Sequence, residues 1–250
     1  MGTEEKHMKM KWSNGLVQRV AILAVALAGA GGARAGLTVI IDAPNPSQVV
    51  DLSVTPEAGS GVPSFSGDVY AGIYNETING VFTPSFCIDV AHDVYIGEPF
   101  TDYSVSTLAD APDAPAGPMG SQTAIYIEKL WAAYYNAAAA DSSGVTAAAL
   151  QLAIWVTEGQ GQDPGYAVSA SGNDSVTDET AIMLAALPGL ATEADLEAIV
   201  SPDGQSYVIA GPSGYIVTPV PEATTLIAGA LLVLPLGAST LRILRRRYIA

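Results

Sequence analysis

The chain has 250 residues, 49% of them hydrophobic and 14% charged, and its 25 Asp and Glu against 10 Lys and Arg give a formal net charge of −15. The acidity is concentrated: residues 36–220 hold 22 acidic residues against the single Lys129, because nine of the ten basic residues lie towards the two ends. Nucleic acid is therefore not an expected partner, since phosphate binding requires clustered Lys and Arg. Such a surface favours solubility, repulsion between copies and affinity for cations, and a saline habitat explains it equally well.

At the N-terminus, Lys6, Lys9, Lys11 and Arg19 precede the apolar run Val20 to Ala30 and the small-residue sequence Ala33-Arg34-Ala35. This order predicts a secretory signal peptide over 1–35, with cleavage before Gly36. The apolar run is well short of the ~20 residues a spanning helix needs. Glu4 and Glu5 are out of keeping with the charged segment of a signal, which a start at Met8 or Met10 would explain.

Residues 36–219 are read as an ectodomain of a size suited to one domain or two small ones. Leu37–Ile41 and Val49–Val54, β-branched and separated by Pro44 and Pro46, predict strands. A Gly, Ser and Pro loop follows over 59–63. Asp68–Tyr74 and Gly80–Val90 predict a hairpin joined through Asn75–Asn79, and Thr101–Leu108 a further strand. Prolines 112, 115 and 118 mark a connector over 109–120.

From Ser121 the pattern becomes helical. Ser121–Ala140 has an N-cap serine and apolar residues Ala124, Ile127, Leu130, Trp131 and Tyr134 at helical spacing. A second helix is predicted from Val145 to Thr157, bounded by Gly144 and Gly159, and a third from Ser175 to before Pro188. A short helix over Thr192–Ile199 and closing strands at Gln205–Ala210 and Tyr215–Val217 complete the domain. The expected class is α+β: an antiparallel β-sandwich or barrel with a helical insert, between a signal peptide and a C-terminal transmembrane helix.

Cys87 is the only cysteine of the chain, within Phe86-Cys87-Ile88-Asp89. In an exported protein it calls for an intermolecular bridge, a reactive thiol, burial as a small apolar residue, or a covalent bond to a glutamine side chain. Such a glutamine is offered by Leu150-Gln151-Leu152-Ala153-Ile154-Trp155. On a helix, Gln151 shares one face with Ala147 and Trp155, each one turn away. Ala147 lets a strand approach closely and Trp155 can shield a bond from water; as a bland alternative, Gln151 is a solvent-facing residue of an alanine-rich helix and Trp155 an ordinary core residue. His92, the one histidine of 36–219, is a candidate base or acyl acceptor.

These two motifs resemble those of the thioester domains of bacterial surface adhesins, over about Phe86 to Trp155. The resemblance implies that Cys87 and Gln151 condense, with loss of ammonia, to an internal thioester, that a nucleophile on a target surface then acylates itself onto the glutamine carbonyl, and that Trp155 packs beside the bond. Lys129 is the only lysine of the ectodomain, leaving almost no amine of its own to attack such a bond.

At the C-terminal end, Pro221-Glu222 precedes an uncharged run from Thr224 to Leu241, followed by Arg242 and Arg245-Arg246-Arg247. Eighteen helical residues reach roughly 27 Å, enough for a thin bilayer, and the arginines hold the far end in the cytoplasm. The arrangement over 220–250 resembles the PEP-CTERM sorting signal, although Ala223 stands where that family has its second proline. The resemblance implies a Gram-negative host, recognition by an exosortase-type membrane peptidase, and delivery to the cell surface or a polysaccharide matrix.

Other chemistries lack residues. No Gly-x-Ser-x-Gly elbow, phosphate loop, clustered histidines or CxxC pair occurs. A Cys-His peptidase is disfavoured because Cys87 and His92, five apart on one strand, would point to opposite faces. Asp163, Asp174, Asp178 and Glu179 are too loosely spaced for a calcium loop. No cofactor or metal is expected, and the reading is a non-catalytic exported protein attached to amine or hydroxyl nucleophiles, or to extracellular polysaccharide. The alternatives are a structural matrix protein with an inert buried cysteine and a polysaccharide hydrolase, which would need a paired-carboxylate cleft.

Overall fold

The computed structural model describes residues 36–211; the expected signal peptide, the strand at Tyr215–Val217, the sorting motif Pro221-Glu222, the transmembrane run and the arginine cluster lie outside them. Nine strands and three α-helices are described: β1 Leu37–Asp42, β2 Ser47–Pro56, β3 Phe65–Gly72, β4 Tyr74–Ile78, β5 Val81–Cys87, β6 Pro99–Thr107, α1 Gly120–Ala140, α2 Val145–Gly161, β7 Tyr166–Ser171, α3 Asp174–Ala186, β8 Leu196–Val200 and β9 Tyr207–Ala210.

Six strands close into an antiparallel barrel in the order β1-β4-β5-β9-β8-β6, and β3-β2-β7 form a separate antiparallel sheet. Alternation sets the inward faces: Leu37, Val39 and Ile41 of β1 and Tyr74, Glu76 and Ile78 of β4 are buried while their neighbours are not. The chain is therefore α+β, with the helices inserted between β6 and β8 as expected.

α2 is the hub. Every residue from Ala147 to Trp155 is buried, as befits a helix covered on all sides. It packs against α1, α3, the β3-β2-β7 sheet and β5. Its alanines permit this crowding, and Gly144, at φ 78°, starts the helix so close to β2 that a Cβ there would fall 2.4 Å from the Ser47 carbonyl oxygen. β5 is fixed to α1 by aromatics: Phe86 meets Trp131 edge-on at 5.3 Å, and Trp131 stacks on Tyr135 at 4.6 Å.

Several local expectations are corrected. The segment expected as a helix over Thr192–Ile199 contains β8 instead, because Leu196, Ala198, Ile199 and Val200 are needed to pair with β6 and β9 and fill the barrel wall. The hairpin expected between Asp68–Tyr74 and Gly80–Val90 is β4 with β5 instead: Asp68–Gly72 lie in β3 and pair with β2, Asn75–Ile78 belong to β4, and the turn is Asn79-Gly80, both at positive φ. α1 begins at Gly120 with no side-chain cap at Met119. α3 is capped by Asn173, whose side chain accepts from the Val176 N–H. β7 was not expected; its alternation Tyr166, Val168, Ala170 spans only six residues.

Candidate functional site

The site forms where β5 ends against α2. β4 begins at Tyr74, opposite Ser85, so the ladder on that edge of β5 stops two residues before Cys87. On the other edge the strand continues to β9, Cys87 facing Tyr207 and the Ile88 N–H donating to the Ser206 carbonyl. The unfilled edge is taken by the side chain of Gln151. Its Oε1 accepts from the Cys87 N–H at 2.9 Å and its Nε2 donates to the Cys87 carbonyl at 2.8 Å. Two hydrogen bonds in one plane fix the carboxamide as a strand residue would be fixed, and Cys87 and Gln151 are both 0% exposed.

The Cys87 sulfur turns to Asp89. Its S–H donates to the Asp89 carbonyl at 3.3 Å and it accepts from the Asp89 N–H at 3.4 Å. Burial pushes the thiol far above its ordinary range; the Asp89 backbone N–H and, less, the Trp155 indole favour the thiolate, while the Asp89 and Glu158 side chains oppose it. The Trp155 N–H faces the sulfur without reaching regular hydrogen-bond geometry. The resting thiol is thus held dry and protonated.

Asp89 links this centre to His92. Its Oδ1 accepts from the Ala91 N–H at 2.9 Å and its Oδ2 lies 2.8 Å from His92 Nδ1. With Nδ1 turned to Asp89, Nε2 is the ring nitrogen left to meet another partner. This corrects the expectation that Cys87 and His92 share a strand and face apart: β5 ends at Cys87, the chain turns, and His92 reaches the sulfur's neighbourhood through Asp89.

Two members of the cluster escaped the sequence reading. Glu158 is fully buried with neither carboxylate oxygen hydrogen-bonded, and burial, followed by the Asp89 charge, keeps it neutral well above the usual carboxyl range. Tyr166, at the start of β7, turns its buried phenol to Glu158. The spacing could have found Glu158: Gln151, Trp155 and Glu158 stand at i, i+4 and i+7, on one helical face. Gly159 lets Tyr166 in, since a Cβ there would lie 2.3 Å from the Tyr166 carbonyl oxygen.

Beside the centre lies a cavity of about 370 Å³, between β2 and β3 on one side and the segment 90–96 on the other. Trp155 and His92 both line it. Lys129, on α1, is paired with Glu193 at 3.9 Å. Among the described residues no group of three or more His, Cys, Asp or Glu could hold a metal ion.

Compared with known proteins, the chain matches no family model, no curated protein and no solved structure.

Proposed function

We propose that the chain is an exported surface or extracellular-matrix protein, sorted through 220–250 by an exosortase-type membrane peptidase, whose ectodomain attaches covalently to amine or hydroxyl nucleophiles through a Cys87–Gln151 thioester. The observation that carries the reading is the pair of hydrogen bonds from the Gln151 carboxamide to the Cys87 main chain inside a dry pocket. A sequence separation of 64 residues is bridged by a side chain that has no other partner of its own.

In the condensation the Cys87 sulfur adds to Gln151 Cδ, the C–N bond breaks, and the thiol proton leaves with the amide nitrogen as ammonia. Holding the two groups together contributes the proximity term such a step needs. Burial under Trp155 then protects the product from water. Attachment is a single event per molecule rather than turnover.

A second reading is favoured by one detail: both Gln151 bonds go to the Cys87 main chain and none to its sulfur. On that reading Gln151 only completes the strand edge, and the chain is a structural matrix protein with an inert cysteine. Intact-mass measurement separates the two. The thioester reading expects a purified chain lighter than calculated by one ammonia, with methylamine restoring that mass plus a methylene, and a Cys87→Ala control at full mass. A full mass with no methylamine uptake sinks it in favour of the second.

A further inference from the structure

We propose that the cavity beside Trp155 and His92 is an acceptor subsite selecting amines that carry an apolar body and no negative charge. The inference rests on the thioester reading and goes beyond it by naming which nucleophiles are taken.

The cavity is mostly apolar, and Tyr70, Val94 and Ile96 give it a hydrophobic mouth although Tyr70 and Ile96 are 62% and 47% exposed. Exposed apolar groups gathered around a concave site mark a binding surface. Its charged members, Asp68 and Asp93, are both acidic, and no Lys or Arg lines it. An ammonium is drawn in and a carboxylate repelled. At about 370 Å³ the space suits a small side-chain-sized group.

The floor is chemically placed. His92 lines the cavity while Asp89 holds its Nδ1, which leaves Nε2 to take a proton from an incoming ammonium. Trp155 also lines the cavity, one helical turn from Gln151 on the same face of α2. Neither Cys87 nor Gln151 lines the cavity, so the free amine reaches Gln151 Cδ once the Trp155 side chain has moved aside, and a C–N bond then forms as the C–S bond breaks. The proton displaced from nitrogen passes to the Cys87 thiolate, so the products are a substituted amide on Gln151 and a thiol on Cys87.

The test is a competition on the full-length chain, read by mass on the peptide carrying Gln151. Isopentylamine and methylamine are of nearly equal basicity, so their rates compare binding rather than nucleophilicity. Isopentylamine is expected to add at least about tenfold faster, the gain from burying two or more methylenes. Propylamine is expected to outpace β-alanine, which has the same length and a carboxylate. Ile96→Asp, and separately Tyr70→Ser, should bring the isopentylamine-to-methylamine ratio towards one. A ratio near one in the unaltered chain, or one unmoved in both variants, overturns the subsite alone. An untreated chain that has lost no ammonia overturns the thioester reading and the subsite with it.

Discussion

Gln151 occupies the place of a missing strand beside Cys87: the carboxamide accepts at 2.9 Å and donates at 2.8 Å where β4 would have run on. The glutamine is therefore structural whether or not it is also an acyl donor, and the two roles are separable by substitution.

Gln151→Ala leaves a buried N–H and a buried carbonyl of Cys87 unpaired, and should cost roughly 2–5 kcal/mol by urea unfolding. Gln151→Glu can still accept from the Cys87 N–H but has no ammonia to lose. Its mass should equal the calculated value. A deficit of one ammonia in this variant would place the lost nitrogen elsewhere.

The thiol should be silent to thiol reagents in the native chain at pH 8, because Cys87 is fully enclosed and burial raises its pKa. After methylamine treatment, unfolding in urea should reveal one thiol per chain. Rapid labelling of the native protein would contradict the buried position.

Stability should fall as pH rises from about 4.5 to 8. Burial raises Glu76 to about 8, against which Ser85 donating to Oε1 at 2.6 Å is the smaller influence, and holds Glu158 well above the ordinary carboxyl value too. In the unfolded chain both ionise near the ordinary carboxyl value. The folded chain thus holds more protons than the unfolded one across this window, and the slope of unfolding free energy with pH is negative. The loss should reach a few kcal/mol between pH 5 and pH 8 in urea titrations. Glu76→Gln keeps the Ser85 bond and should flatten much of the slope.

Gly159→Ala drives a methyl group into the Tyr166 backbone, 2.3 Å away, and α2 or β7 has to shift. A cost of about 1–3 kcal/mol is expected, seen as a lowered Tm.

Much of this was legible in the chain. Leu37–Ile41 and Val49–Val54 show strand periodicity plainly, and α1 and α2 follow from helical spacing, with Gly144 starting α2; Gly159 does not end it, since the helix runs on to Gly161. β8 was misread because Leu196-Glu-Ala-Ile-Val200 has helix-compatible residues, and only pairing with β6 and β9 makes it a strand. Cys87 and Gln151 stood out by rarity and motif, but that Gln151 binds the main chain of Cys87 depends on where β4 begins, which no local pattern encodes. Glu158 was hidden by its chemistry: an acidic residue on an acidic chain reads as surface until its neighbours enclose it.

The placement of β9 has a mechanical consequence. β9 is the last described strand, and it is hydrogen-bonded on both flanks, to β5 and to β8. Detaching β9 therefore requires breaking both ladders, which opens the barrel wall on either side of it. Tyr207 lies directly across from Cys87, which Gln151 grips from the opposite edge. Tension entering at β9 would cross one strand pairing to reach α2, bypassing the β3-β2-β7 sheet.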